Sequence, residues 1–295
     1  MSNKLISLSN FPAFNWSSEA IHSILEIAKQ KQANLLNTIN VLSTKLKLEA
    51  NEEIVKNELK TIIFDQKTPE FDQKWQNFNK NHKNLLTLED FIHLNANFGE
   101  MPPKNVDQFL VWYNKPGLDR LLKAAIAHLW FISIVPFENE NIHIACLITN
   151  RQLAKADGID LRYYSLGTQL FYEKQEYHFI LKQVLNGSLD ITIWLQWFLG
   201  CLIRTYENAS IILKHVISKH QFFEKHKNLA FNNRQSIIIN KLLNGYQDKL
   251  STTIYAGINN CSRDTALRDI TYLLNNSILK KEYGLGKNTN YVLMH

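Results

Sequence analysis

The chain has 295 residues, of which 45% are hydrophobic and 11% aromatic, so it can bury a substantial core and is not a disordered protein. Glycine (10 residues) and proline (6) are scarce, which disfavours a sheet-rich protein with many tight turns and favours long helices. The net charge is +6, and residues 228–295 carry eight basic residues against four acidic ones. A basic tail of this kind indicates either an anionic partner or a solvated surface.

Three cysteines, Cys146, Cys201 and Cys261, lie far apart in the sequence and form neither a disulfide framework nor a zinc-binding motif. We therefore predict reduced cysteines that pack as small core residues. The first residues contain no apolar stretch long enough for a signal peptide. The longest apolar run, between Lys123 and Glu138, is too short to span a bilayer. These features favour a soluble, cytoplasmic protein with no membrane partner.

The N-terminal part, residues 1–84, is predicted to be a helical domain. Apolar residues recur at helical spacing from Ser17 to about Phe64, and Ser17 and Ser18 are suitable N-caps. Residues 65–84 are polar and rich in lysine, asparagine and glutamine, so this stretch is predicted to be a loop or a weak helix.

Residues 85–227 are predicted to form a core domain of strong helices. An amphipathic helix over Val106–Tyr113 is followed by Leu118–Ile134, which is apolar nearly all round, as a central buried helix must be. Pro136 ends that helix, and Ile142–Ala156 is predicted to be a second buried helix that stops near Gly158.

Two further features of this core have a structural interpretation. His128 lies within the central apolar helix, and we predict a hydrogen-bonded core histidine rather than a catalytic one. Asp190 is a candidate cap for the next helix, whose Trp194, Trp197 and Phe198 recur at helical spacing and are predicted to be core residues.

Residues 228–295 show a different pattern and are predicted to form a third domain. A helix over Arg234–Leu243 is followed by a short helix through Ala256 and a turn over Gly257–Cys261. A second helix then runs from its cap at Ser262 to Asn275, with a predicted buried face at Ala266, Leu267, Ile270, Leu273 and Leu274. Two strand-like segments, residues 278–283 and 290–294, complete the layout of a winged helix-turn-helix.

The segment AHLWFISIVPFENENIHIAC, with the flanking strings RYYSLGTQL and LDITIWLQWFLGCL, resembles the Fic family of AMP-transferring enzymes. The family signature is HPFxDGNGRxxR, and it maps here onto residues 135–146. The resemblance covers most of the chain. It implies a mainly α fold with a helical N-terminal domain, a Fic-like helical core and a C-terminal winged helix.

The resemblance also implies which functions the signature has lost. The general base of the family aligns with Val135, which has no lone pair, and the Mg²⁺-binding acid aligns with Asn139, a weaker ligand. The two phosphate-binding glycines align with Glu140 and Ile142. The two phosphate-binding arginines align with His143 and Cys146, and Asn141 is retained, together with Pro136 and Phe137.

Because phosphoryl chemistry depends on positioning and charge stabilisation, these replacements predict a catalytically inactive protein with no cofactor and no resident metal. We expect a pseudoenzyme that acts by binding DNA, a protein partner or a second copy of itself. The alternative is residual AMP transfer from ATP to hydroxyl side chains, which would use ATP and Mg²⁺. A remnant without retained activity is the third possibility.

Candidate DNA contacts lie in the predicted winged helix. Arg263, Thr265, Arg268 and Thr271 are expected on the exposed side of the recognition helix, and basic or small polar residues there suit the major groove. The wing carries Lys280, Lys281 and Lys287, which suit phosphate contacts. Asp264 and Asp269 are expected to interrupt the basic face and to repel phosphates. Since winged helices also bind proteins, DNA and protein remain the two open alternatives.

Overall fold

The fold follows the helical spacing of the apolar residues. The computed structural model describes residues 3–61, 84–94, 105–134, 141–159, 162–246, 249–282 and 289–294. These residues belong to two compact units, Met1–Ile212 and Leu213–His295. The fold is mainly α, as predicted. The finer division into domains 1–84, 85–227 and 228–295 stays a prediction.

In its described residues, the first unit consists of a short 3₁₀ helix at Leu5–Ser7 followed by α-helices. In chain order the helices are α1 (Ser18–Asn40), α2 (Thr44–Thr61), α3 (Leu88–Leu94), α4 (Val106–Asn114), α5 (Arg120–Ile134), α6 (Asn141–Asp157), α7 (Leu166–Tyr172), α8 (Lys174–Leu185) and α9 (Thr192–Lys225). The last of these begins in the first unit, and its final residues belong to the second. Helix α1 begins as predicted, since the Ser17 side chain accepts a hydrogen bond from the Ala20 N–H at 3.2 Å.

Helix α5 is the central helix of the first unit. All its side chains are buried except those of Arg120 and Ile132, which confirms the burial predicted from its apolar surface. Helix α6 packs along it, and the alanines of α5 allow a close approach. Trp194, Trp197 and Phe198 of α9 are buried as predicted, and the Trp194 Nε1–H donates to the Ala125 carbonyl at 2.9 Å.

The second unit has its own hydrophobic core. It contains α10 (Asn233–Leu243), α11 (Thr252–Asn259), α12 (Arg263–Asn275) and an antiparallel hairpin of β1 (Leu279–Glu282) and β2 (Asn290–Leu293). The element order matches the order predicted for the tail. Ser251 and Ser262 cap α11 and α12, each accepting a hydrogen bond from a backbone N–H three residues on.

Two predictions about this unit were wrong in detail. Helix α11 continues past Ala256 to Asn259, and the turn is made by Asn260, whose φ of 48° is left-handed. Leu267 is 51% exposed rather than buried, because the buried face of α12 follows Ala266, Ile270 and Leu273. No helix in the described part of the chain is long and apolar enough to cross a membrane.

Candidate functional site

The segment that resembles the Fic signature is described only in its second half. Val135, Asn139 and Glu140 lie outside the described residues. Asn141, Ile142 and His143 form the first turn of α6, and Ile142 is partly buried. Cys146, at the second arginine position of the signature, is 5% exposed. A buried thiol packs as a small apolar group and offers no positive charge to a phosphate.

Cys146 and Cys201 are both buried, and Cys261 is partly buried; all three are free thiols. Burial raises the pKa of the Cys201 thiol well above its ordinary value. A thiol that stays protonated is a poor nucleophile and a poor metal ligand. No cluster of three or more His, Cys, Asp or Glu side chains that could hold a metal ion occurs among the described residues.

His128 lies at the centre of a hydrogen-bonded chain that joins three helices. The Thr149 hydroxyl donates to the Ala145 carbonyl at 2.7 Å, so its oxygen accepts the His128 Nδ1–H at 3.0 Å. The other ring nitrogen, Nε2, is then an acceptor, and the Tyr177 hydroxyl donates to it at 3.0 Å. This pattern defines a neutral imidazole with its proton on Nδ1.

The surroundings of His128 keep the ring neutral. The residue is fully buried, and its ring stacks on Trp194 with centroids 5.6 Å apart. Burial lowers the pKa of His128 to about 3, because a cation would lose its hydration. The prediction of a hydrogen-bonded core histidine is therefore confirmed.

The exposed face of α12 carries the candidate DNA contacts. Arg263, Arg268 and Thr271 are exposed and Thr265 is partly exposed, as expected for groove-facing residues. The Thr265 N–H is bonded to the Ser262 cap at 3.2 Å, so Thr265 belongs to the first turn of the helix. None of the ion pairs in the described part of the chain involves Arg263 or Arg268.

Asp269 corrects one expectation about this face. The residue is 6% exposed and points into the second unit, where it accepts hydrogen bonds from Arg234 at 2.7 Å and from Asn232 at 2.8 Å. The Tyr255 hydroxyl donates to it at 3.3 Å. Burial raises the pKa of Asp269, but the hydrogen bonds from Arg234 and Asn232 outweigh this effect and hold the pKa below its ordinary value. Only Asp264 remains as an exposed acid on α12.

The hairpin places its lysines on opposite sides of the sheet. Lys280 pairs with Val292 and Lys281 pairs with Tyr291, and adjacent residues of a strand point to opposite faces. Lys281 therefore shares a face with Tyr291, which packs into the core of the unit, while Lys280 lies on the other face. Both lysines and Glu282 are exposed. Lys287 lies outside the described residues.

The first unit also contains a basic cleft that the sequence analysis did not single out. It is lined by the loop after α4, the start of α5 and the end of α6, and four of its lining residues are basic (Lys115, Arg120, Lys123 and Lys155). The available signal was the charge pattern of residues 115–123, which contain three basic residues and one acid. Lys155 is distant in the sequence and joins them only through the packing of α6 on α5.

No model of a known protein family matches the chain, and no curated protein matches it. Solved structures with a similar arrangement include the crystal structure of a Fic family protein from Desulfovibrio desulfuricans G20. The two chains are 13% identical, the match covers 93% of this chain and 96% of that one, and the TM-score is 0.49. At this identity, the roles of individual residues do not transfer to the present chain.

Proposed function

We propose that this chain is a Fic-like protein that has lost AMP transfer and acts by binding. Its second unit is then a winged helix that contacts DNA through α12 and the hairpin. The observation that carries the DNA assignment is the withdrawal of Asp269 into the unit. With that carboxylate buried and bonded to Arg234, the exposed side of α12 presents Arg263 and Arg268 against a single exposed acid, Asp264.

The loss of catalysis is supported by the chemistry of the aligned residues. Val135 cannot accept a proton, and buried Cys146 cannot neutralise a phosphate. His128 precedes Val135 by seven residues, but its ring is held neutral in the core by Thr149 and Tyr177. It therefore cannot replace the missing general base. Removing a base alone lowers a rate by about 10²–10⁴, and here the charge-stabilising arginines are replaced as well.

If the second unit binds DNA, we expect the helix and the hairpin to make different kinds of contact. Arginines on a groove-facing helix can make bidentate contacts to guanine, each contributing about 1–3 kcal/mol of discrimination. Lys280, Lys281 and Lys287 would contact phosphates, which adds affinity without sequence preference. Because Lys280 and Lys281 lie on opposite faces of the hairpin, we expect them to contribute unequally.

A DNA-binding experiment tests this proposal. The second unit should be produced from Leu213 rather than Asn228, because Phe222 and Phe223 of α9 pack into its core. Fluorescence anisotropy with a labelled mixed-sequence duplex at low salt should show binding by this fragment and by the full chain. Arg263→Ala with Arg268→Ala should weaken binding and reduce any sequence preference, whereas Lys225→Ala, which removes an exposed charge elsewhere, should have little effect.

The salt dependence separates phosphate contacts from base contacts. Replacing Lys280, Lys281 and Lys287 by alanine should reduce the slope of log affinity against log salt by about 0.9 for each phosphate that the protein no longer neutralises. If neither the fragment nor the full chain binds DNA at low salt, where the phosphate contribution is strongest, the DNA assignment is wrong. A protein partner would then be the better assignment, and the exposed face of α12 would be the first place to look for its binding surface.

A further inference from the structure

The basic cleft of the first unit has the size and charge of a ligand site. Its volume is about 540 Å³, within the range of small-molecule pockets. The lining brings together Lys115, Arg120, Lys123 and Lys155, and the described residues that line the cleft include no carboxylate. Next to Gly117 and Gly158, which also line the cleft, no atom lies within 4 Å of the position that a Cβ would occupy. The cleft therefore combines four positive charges with open space beside the backbone.

The two nearby acids that the structure describes, Asp119 and Asp157, are engaged by other partners. Asp119 accepts hydrogen bonds from the backbone N–H groups of Leu121 and Leu122 and pairs with Lys29 at 3.1 Å. Asp157 is engaged by Gln32 and Tyr164, each at 2.6 Å. The helix ends balance only part of this charge, because the C-terminal ends of α4 and α6 and the positive start of α5 meet at the cleft. Each helix end carries about half an elementary charge, against four basic side chains.

The internal contacts of the basic side chains leave most of their N–H donors unused. The Lys123 ammonium donates to the Lys115 carbonyl and lies 5.4 Å from the centre of the Trp112 ring. The Arg120 guanidinium donates to the Lys155 carbonyl, which occupies one of its five N–H groups. For the Lys155 ammonium, the described residues provide the face of Tyr113 at 5.6 Å but no hydrogen-bond acceptor.

The basic groups also disfavour each other's charge. Burial lowers the pKa of Lys123, which is only 7% exposed. Burial, followed by the positive charges of Arg151, Lys123 and Arg120, lowers the pKa of Lys155. Positive groups held together without a counter-charge gain free energy when an anion enters, because its oxygens restore both the charge balance and the missing hydrogen bonds.

We propose that this cleft binds a small molecule with a diphosphate or longer phosphate chain. Four basic residues, with no acid among the described lining residues, match several negative charges better than one, which favours a phosphate chain over a single carboxylate. Arginine and lysine are both suited to phosphate oxygens, the first as a bidentate donor and the second as a point charge. The cleft lies at the start of α5 and the end of α6, whereas the Fic-like signature joins the other ends of the same two helices. It is therefore a separate site.

Calorimetric titration of the full chain with sodium pyrophosphate, at low ionic strength and without Mg²⁺, tests the proposal. We expect saturable one-to-one binding that weakens at least tenfold in the variant Arg120→Gln with Lys155→Gln. The matched control is Lys174→Gln with Lys182→Gln, which removes two exposed charges on α8 and should keep the wild-type affinity. If the first variant does not fold, Lys155→Gln alone serves, because its ammonium makes no hydrogen bond within the described chain.

Two further titrations define the ligand. ADP binding more tightly than pyrophosphate identifies the source of the phosphate chain as a nucleotide, and equal or weaker binding identifies an inorganic polyphosphate; either result supports the site. Citrate should bind much more weakly. The proposal is overturned by absence of pyrophosphate binding at millimolar concentration, by unchanged affinity in the variants, or by citrate binding as tightly as pyrophosphate.

Discussion

Acidification should destabilise the first unit through His128. Its pKa is about 3 in the folded protein, against an ordinary value of 6.5. Between these values the unfolded chain binds a proton that the folded chain does not, so the contribution of His128 to stability is fully present well above pH 6.5 and is lost as the pH drops towards 3. The raised pKa of Asp157 acts in the opposite direction, so the effect of His128 is measured as a difference from a variant without the imidazole. The loss is at most about 1.4 kcal/mol per pH unit, and from pH 7 to pH 4.5 it amounts to about 2.5 kcal/mol.

Urea unfolding followed by tryptophan fluorescence reports the stability of the first unit, because all six tryptophans precede Leu213. The variant His128→Gln keeps one donor and one acceptor but does not titrate. It should be less stable than the wild type at pH 7, and the difference should shrink by about 2.5 kcal/mol at pH 4.5. His22→Gln, which removes an exposed histidine of α1, should follow the wild type.

A parallel loss of stability in wild type and His128→Gln between pH 7 and pH 4.5 would refute this prediction. It would mean that the folded protein accepts the proton as readily as the unfolded chain. The ring would then be reached by water or by a counter-charge, contrary to its full burial and its contacts with Thr149 and Tyr177.

Three further predictions concern the second unit and the Fic-like signature. Asp269→Asn should lower the melting temperature of the fragment that starts at Leu213, since it removes the charge bonded to Arg234. Asp264→Asn on the same helix should lower it less, because this exposed acid interacts only with the start of α12. Equal effects in circular dichroism melts would contradict the pairing. Incubation of the chain with labelled ATP, Mg²⁺ or Mn²⁺ and cell lysate should leave no label on any protein. Labelling that is absent from a heat-killed control would show that the chain still transfers AMP. The variant Val135→His should remain inactive in AMP transfer. It restores a base, but Glu140 still occupies a phosphate position and both phosphate-binding arginines are still missing. Measurable AMP transfer by this single variant would show that the loop is still competent.

The periodicity of the sequence was sufficient to predict most helices. The central helix α5 is apolar on nearly every side, so its burial follows from composition alone. The cap Ser262 could be assigned, and the cap of α1 could be narrowed to Ser17 or Ser18, because a serine side chain satisfies a free N–H in the first turn of a helix. The end of α11 could not be predicted from the sequence. Gly257 and Asn260 can both adopt the left-handed conformation that ends a helix, and only packing selects Asn260.

Charge placement shows the limit of periodicity most clearly. By itself, the sequence determined the mainly helical fold, the element order of the tail and the core role of His128. The spacing of Ala266, Ile270 and Leu273 already places Asp269 on the buried face of α12. Only the tertiary structure supplied the partner that makes this burial favourable, Arg234 of another helix. It also decided that Lys155 joins the basic residues of 115–123, since α6 must first pack on α5. Local spacing predicts which face of a helix is buried, whereas contacts between residues distant in the sequence decide which polar groups meet there.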